Sequence, residues 1–194
     1  LLIERFGTGF WIFEREGAGT PARESTVLEF LKGHGARRAV WLRRPKKGVP
    51  EEVECVLGQD TDPVVLEEGS LRMQIRFKDT RHPGLFLDHE PLRTWLMQNR
   101  VGDRVLNLFA YTGSLSIAAA RGGAKHVTTL DLSKPTIDWA RHNWELNSLA
   151  RVEARFIAED AFRGLGRLAK VGEKFDAIIL DPPSFSRSKE GKTF

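Results

Sequence analysis

Three aspartates, Asp131, Asp160 and Asp181, each follow a short apolar run in this 194-residue chain. Open parallel sheets take their ligands in the crevice outside the carboxyl ends of the strands, so an acid there accepts hydrogen bonds from whatever is bound. The first of the three has a fuller context. Arg104 to Asp131, RVLNLFAYTGSLSIAAARGGAKHVTTLD, reads as a buried strand, a tight turn at Gly113, a short helix, and a second strand ending in the acid. Asp131 lies 18 residues beyond Gly113. An acid about 20 residues past a Gly-bearing first turn binds a pair of ribose hydroxyls in doubly wound folds.

The turn itself narrows the ligand. Ala110-Tyr111-Thr112-Gly113-Ser114 holds one glycine and no G-x-G-x-x-G. No second glycine lets the backbone approach a pyrophosphate, as a dinucleotide requires. S-adenosylmethionine carries no phosphate, so a single-Gly turn favours it over NAD. The alternative for the loop alone is an ordinary α/β crossover with a structural glycine.

Asp181 opens Asp181-Pro182-Pro183-Ser184. Proline fixes φ and removes N–H donors, so such a loop is stiff and offers carbonyls to a ligand. Related (Asp/Asn)-Pro-Pro-aromatic loops place nucleobases beside a methyl donor; here Ser184 takes the aromatic position and Phe185 follows. The alternative is a rigid loop that merely exits a strand.

The elements that must position these residues follow from pattern. Val105–Phe109, His126–Leu130, Val152–Ala158 and Phe175–Leu180 read as strands, the last a nearly continuous apolar run of the kind a central parallel strand shows. Leu115–Arg121 is Ala-rich and helical, with Gly122-Gly123 as its stop. Ser133-Lys134-Pro135 reads as an N-cap and first turn of a helix to about Asn147, with Ile137, Ala140 and Trp144 facing inward. Glu90–Arg100 reads as a helix joining this region to what precedes it.

The first 80 residues differ. Phe10–Phe13, Arg38–Arg43, Glu52–Leu57 and Leu71–Phe77 read as strands, and a helix starts at Thr20-Pro21 and stops at Gly33 to Gly35. Leu71, Met73, Ile75 and Phe77 share one face. The expected architecture is α/β, a Rossmann-like sheet over 83–194 preceded by a small α+β accessory module over 1–82. A seven-stranded sheet needs about three strands after Asp181, so the sheet is expected to be C-terminally truncated in a chain that is a fragment.

Composition bounds the reading. With 41% hydrophobic and 29% charged residues the chain buries a core. One cysteine, Cys55, excludes an internal disulfide framework or a cysteine zinc cluster and suits the cytoplasm. Cys55 alternates with Val53 and Leu57 and is expected to be buried and inert. The five histidines show no metal-ligand spacing, so no metal is expected, and no apolar run is long enough to cross a membrane.

A net charge of +4 and pI near 9.4 tolerate RNA without demanding it. The run from Arg37 to Lys47 holds six cations and no acid. Arg43, Arg44, Lys46 and Lys47 are candidates for phosphate contact, with Trp41 as a base-stacking platform; the alternative is a solubilising hairpin with Trp41 in the core. Arg187, Lys189 and Lys192 flank the Asp-Pro-Pro loop and are the better placed to steer RNA.

Four segments carry a resemblance: Gly84-Leu-Phe-Leu-Asp88-His89, Leu106-Asn-Leu-Phe-Ala-Tyr-Thr-Gly113-Ser114, Thr129-Leu-Asp131-Leu-Ser133 and Asp181-Pro-Pro-Ser-Phe-Ser186. They are similar to class I S-adenosylmethionine-dependent methyltransferases of the bacterial large-subunit ribosomal RNA group, first to the guanine-N7 half of its bifunctional enzyme and next to its cytosine-C5 enzymes. The likeness covers Asp79 to Phe194 well and the first 78 residues weakly. It implies that Phe109, Tyr111, Thr112 and Gly113 surround the methionine moiety and that Asp131, followed by Leu132 and Ser133, takes the ribose. It further implies that Asp160 and the Ala161 N–H face the adenine, that Asp181, Pro182 and Pro183 face the reacting centre, and that Phe86 and Asp88 cover the cofactor. The family usually has Arg after the Asp-His pair, where this chain has Glu90, and Arg93 would take that role. The alternative for Asp88-His89-Glu90 is a helix N-terminus.

The expected function is methylation of a base of large-subunit ribosomal RNA with S-adenosylmethionine, guanine N7 preferred over cytosine C5. The alternatives are a methyltransferase for a small molecule or protein, and a non-catalytic RNA-binding protein that keeps the fold.

Overall fold

A computed structural model describes residues 1–15, 21–44, 51–59, 62–79 and 82–183. The chain divides into two compact units, Leu1–Leu87 and Asp88–Phe194.

The first unit is built on a four-stranded sheet. Its strands are β1 (Leu2–Phe6), β2 (Gly9–Arg15), β3 (Arg38–Arg44) and β4 (Glu52–Leu57), in that spatial order. β2 and β3 are parallel, and the crossover between them is helix α1 (Pro21–Gly33); the other two pairings are antiparallel. A parallel pair needs such a crossover, which explains why a helix interrupts consecutive strands. Phe10, Ile12 and Trp41 from the sheet meet Leu31 of α1 in a core with Ala39. A separate antiparallel hairpin, β5 (Val64–Glu68) and β6 (Leu71–Ile75), turns at Gly69-Ser70. β6 alternates as read, Leu71, Met73 and Ile75 buried, and Phe77 beyond it is buried too.

Two strands were not foreseen, β1 and β5. Cys55 is half-buried rather than buried, its thiol donating to the Leu57 carbonyl at 3.4 Å. Trp41 is a core residue: 1% exposed, its indole N–H bonded to Glu14 Oε2 at 3.1 Å, with no face for a base.

The second unit is a parallel sheet with helices between consecutive strands. Its strands are β7 (Arg104–Leu108), β8 (His126–Asp131), β9 (Glu153–Ala158) and β10 (Ala177–Leu180), in the order β10-β7-β8-β9. Three helices make the crossovers: α3 (Ser114–Arg121), α4 (Lys134–Leu146) and α5 (Ala161–Lys170). Helix α2 (Glu90–Gln98) packs on α3. β7 and β8 are buried throughout their apolar positions, as both-sided coverage requires. β10 is shorter than read and lies at the edge of the four strands, with Ile178 56% and Leu180 61% exposed. Helix α5 was not foreseen. Its Gly164 allows the close approach to β8, since a Cβ there would stand 2.4 Å from Leu130 Cδ1.

Candidate functional site

All four strands of the second unit run parallel, so Asp131 at the end of β8, Asp160 just past β9 and Asp181 just past β10 stand at one edge of one sheet. Strands are about 4.8 Å apart. Asp131 and Asp160 therefore belong to neighbouring strands, and Asp181 lies two strands from Asp131 across β7.

The turn after β7 is held open by backbone conformation. Phe109, Tyr111 and Gly113 all have positive φ, at 54°, 47° and 80°. Phe109 thus starts the turn instead of ending the strand. For Phe and Tyr the left-handed region costs about 1–2 kcal/mol each, and such strain persists where surroundings over-determine it. Gly113 bears a second constraint: a Cβ on it would sit 3.1 Å from Ala140 Cβ of α4. It is the left-handed residue from which α3 departs, and its carbonyl accepts from Ile117 N.

Asp131 ties this turn to the sheet. One carboxylate oxygen accepts from Tyr111 N at 3.0 Å and the other from Ser133 N at 3.0 Å. A carboxylate offers about four acceptor positions, so two remain. Ser133 in turn caps α4, its hydroxyl accepting from Thr136 N. Leu132 between them is 72% exposed.

Beneath the turn lies a buried polar knot. Ser116 of α3 receives hydrogen bonds from Asn107 of β7 at 2.9 Å and Thr129 of β8 at 2.8 Å. Asn143 of α4, fully buried, donates to the Thr112 carbonyl at 3.0 Å, and Asn147 donates to the Asn143 carbonyl at 2.7 Å. Asn147 ends α4 as its C-cap, as the sequence suggests, while Asn143 fixes the turn. The polar residue one helical turn before a C-cap, on the inward face, was the available signal. Thr112 itself is buried, which leaves its side chain little open surface.

Asp160 caps α5, its carboxylate accepting from Phe162 N and Arg163 N, both at 3.1 Å. Ala161, the first residue of α5, is buried. Asp181 is exposed and faces His89 Nε2 at 3.4 Å. Pro182 and Pro183 are exposed. Asp88 lies in the short 3-10 turn before α2, and His89 occupies the N-cap position without a side-chain capping bond. Arg93 is fully buried on α2, so it presents no surface for RNA in place of the arginine absent at Glu90. Phe86 belongs to the first unit, its ring stacked on His82 at 4.3 Å.

The basic residues divide differently. Arg43 is committed within the first unit to Glu24 at 2.8 Å and Glu54 at 2.9 Å, and it lies over the Trp41 ring. Burial pulls its pKa down, but the bond to Glu54 and the charges of Glu24, Glu54 and Glu14 outweigh that and hold it above the usual arginine value. The side chain of Arg44, and Lys46, Lys47, Arg187, Lys189 and Lys192 entirely, lie outside the described residues. Among the described residues no cluster of His, Cys, Asp and Glu suits a metal ion, and no helix is long and apolar enough to cross a membrane.

The chain is similar to known proteins. The family model for S-adenosylmethionine-dependent methyltransferases matches residues 36–192. The chain is 39% identical over 196 residues to ribosomal RNA large subunit methyltransferase I of Aeromonas hydrophila, covering 97% of this chain and 49% of that protein. It is 44% identical over 192 residues to ribosomal RNA large subunit methyltransferase K/L of Allochromatium vinosum, covering 92% and 26%. Among solved structures it is similar to an S-adenosylmethionine-dependent methyltransferase from Agrobacterium tumefaciens, with TM-score 0.68 and 31% identity over 84% of this chain and 52% of that one. The methyltransferase SMU.776, crystallised with S-adenosylhomocysteine, superposes with TM-score 0.85 at 27% identity over 99% and 50%. The chain spans about half or less of the length of these curated relatives. A parallel sheet with its acids at one edge, a single-glycine turn tied to the second strand, and a family model matched over most of the chain together make this a member of the S-adenosylmethionine-dependent methyltransferase family.

Proposed function

We propose that this chain binds S-adenosylmethionine at the carboxyl edge of the β10-β7-β8-β9 sheet, as part of an enzyme that methylates a base of large-subunit ribosomal RNA in the cytoplasm. The observation that carries the reading is the Asp131 carboxylate, which gives one acceptor position to Tyr111 N of the Gly113 turn and one to Ser133 N, and keeps two for a hydroxyl pair. The donor set fits the cofactor: a single glycine at φ 80° gives a turn without the second close backbone approach a pyrophosphate needs.

In this reading Asp131 accepts from the ribose hydroxyls, with Leu132 and Ser133 beside them. The backbone of Phe109, Tyr111, Thr112 and Gly113 borders the methionine moiety. Asp160 and Ala161 border the adenine, Asp88 closes the site from the turn before α2, and Asp181, Pro182 and Pro183 face the reacting centre. The bound cofactor supplies a methyl group on a sulfonium. The chain's own part is to orient donor and acceptor in line and to exclude water.

The nucleic acid comes from the names of the curated relatives, which are ribosomal RNA methyltransferases. Guanine N7 is preferred as acceptor because its lone pair is already nucleophilic. Cytosine C5 needs a thiolate to add first; the Cys55 thiol donates to the Leu57 carbonyl, so that reaction would draw its thiolate from outside these 194 residues. A base inside a duplex must be flipped out or already unpaired.

The test has two arms. Calorimetric titration is expected to show binding of S-adenosylmethionine and none of NAD; NAD binding alone would reject the turn argument. Transfer of radiolabelled methyl from the donor is expected onto large-subunit ribosomal RNA, and label found only in a metabolite or protein pool rejects the substrate.

A further inference from the structure

The first unit contains a cleft of about 440 Å³ that the methyl-transfer site does not use. Phe6, Gly7, Thr8 and Gly9 of the β1–β2 turn border it, with Val64 and Leu66 of β5, Arg38 at the start of β3, and Phe77. Its size falls within the range of small-molecule sites, about 300–1,000 Å³.

Arg38 is the anomaly. Its side chain is 8% exposed, and among the described residues none of its three guanidinium nitrogens has a hydrogen-bond partner. A guanidinium carries five N–H donors, and a buried donor left unmet is costly. The charge is a different matter. Asp62 Oδ1 stands 3.7 Å from Arg38 Nη2, while that carboxylate accepts from Phe77 N at 2.8 Å. Arg38 therefore has its charge balanced and its donors unmet.

That separation selects the ligand. A phosphate would bring a second negative group to a site already neutralised by Asp62. A neutral planar group with two adjacent acceptors satisfies the donors and leaves the charge balance intact. Aromatic walls suit the same ligand: Phe6 and Phe77 meet edge to face at 5.7 Å. The Phe77 ring also covers the guanidinium, 4.7 Å from Cζ to centroid. The ring, itself 1% exposed, lies against Gly9, where a Cβ would be 2.6 Å away, so a ligand reaches the donors only by displacing it.

We infer that the cleft is a nucleobase pocket that takes an unpaired guanine, with Arg38 donating to O6 and N7. This pairing is the commonest bidentate contact of arginine with a base. The inference takes its nucleic-acid partner from the RNA reading above, but it concerns a second site, in the other unit.

Fluorescence anisotropy of the chain with a short single-stranded RNA containing guanine, against the same RNA carrying 7-deazaguanine, tests it in the absence of cofactor. The deaza substitution removes one acceptor, and binding is expected to weaken about 5- to 100-fold. Arg38→Lys keeps the charge beside Asp62 but not the fork, and it is expected to bind both RNAs within two-fold of each other. Equal binding by the unaltered chain overturns the inference. So does discrimination retained by a folded Arg38→Lys chain, because it would then arise at the methyl-transfer site. If that variant does not fold, a photoreactive guanine in the RNA decides: cross-links to Phe6 or Phe77 support the pocket and cross-links only in the second unit reject it. Calorimetry with S-adenosylmethionine on the same sample separates the two readings. Discrimination without donor binding sinks the methyltransferase site alone, and donor binding without discrimination sinks the pocket alone.

Discussion

Asp131→Asn is the sharpest test of the donor site, because it keeps shape and removes one acceptor and the charge. Both carboxylate oxygens accept a backbone N–H, from Tyr111 and from Ser133, each at 3.0 Å. Whichever way the new amide turns, its NH₂ faces one of those donors. One bond to a charged acceptor is lost, worth about 1.5–3 kcal/mol. Asp131 is half-buried, so solvent screening favours the lower end, about 1.5 kcal/mol. That bond is missing with and without donor, so its loss falls on stability and not on affinity. Bonds to the ribose hydroxyls lose their charge assistance, about 1 kcal/mol, which corresponds to roughly 5-fold weaker donor binding. Calorimetry with S-adenosylmethionine reads the affinity, and urea unfolding of the same protein reads the stability lost with the turn contact. Unchanged affinity alongside lowered stability would refute the reasoning: the carboxylate would then be a brace for the turn and nothing more.

Asn143→Ala leaves the buried Thr112 carbonyl without its amide donor and is expected to cost about 1–3 kcal/mol in denaturant unfolding, with donor affinity falling too; a loss of stability at constant affinity would confine Asn143 to the fold. Gly122→Ala places a Cβ 2.0 Å from the Leu96 carbonyl oxygen, at the contact of α2 with α3. Its φ of −73° suits any residue, so the cost is steric, about 1–3 kcal/mol, and a melting temperature equal to that of the unaltered chain would count against the packing. Trp41→Phe removes the indole donor from buried Glu14 and is expected to lower stability by about 1–2 kcal/mol while leaving RNA affinity unchanged; weakened RNA binding in the folded variant would return Trp41 to the surface.

Much of the second unit was legible because its signals are local. The apolar runs of β7, β8 and β9, the Ala-rich stretch of α3 and the Ser-Lys-Pro start of α4 each declare themselves within a few residues. The elements missed had weak local signals. β1 (LIERF) and β5 (VVLEE) mix charge into five residues, and they are strands because neighbouring strands pair with them. α5 carries Gly164 and Gly166, which lower helix propensity; packing against Leu130 makes Gly164 suitable there.

The site divides along the same line. Sequence alone determined that a single-glycine turn and an acid 18 residues later stand at the ends of successive strands, because turn chemistry and strand length are properties of contiguous residues. Only the tertiary structure decided what those residues and their neighbours touch. Asn143 reaches Thr112 across 31 positions, Trp41 reaches Glu14 across 27, and Arg43 reaches Glu24 across 19. Arg38 is left with balanced charge and unmet donors by the meeting of β3, Asp62 and Phe77. Such contacts depend on strand order and register, which bring together residues whose local sequences carry no trace of one another.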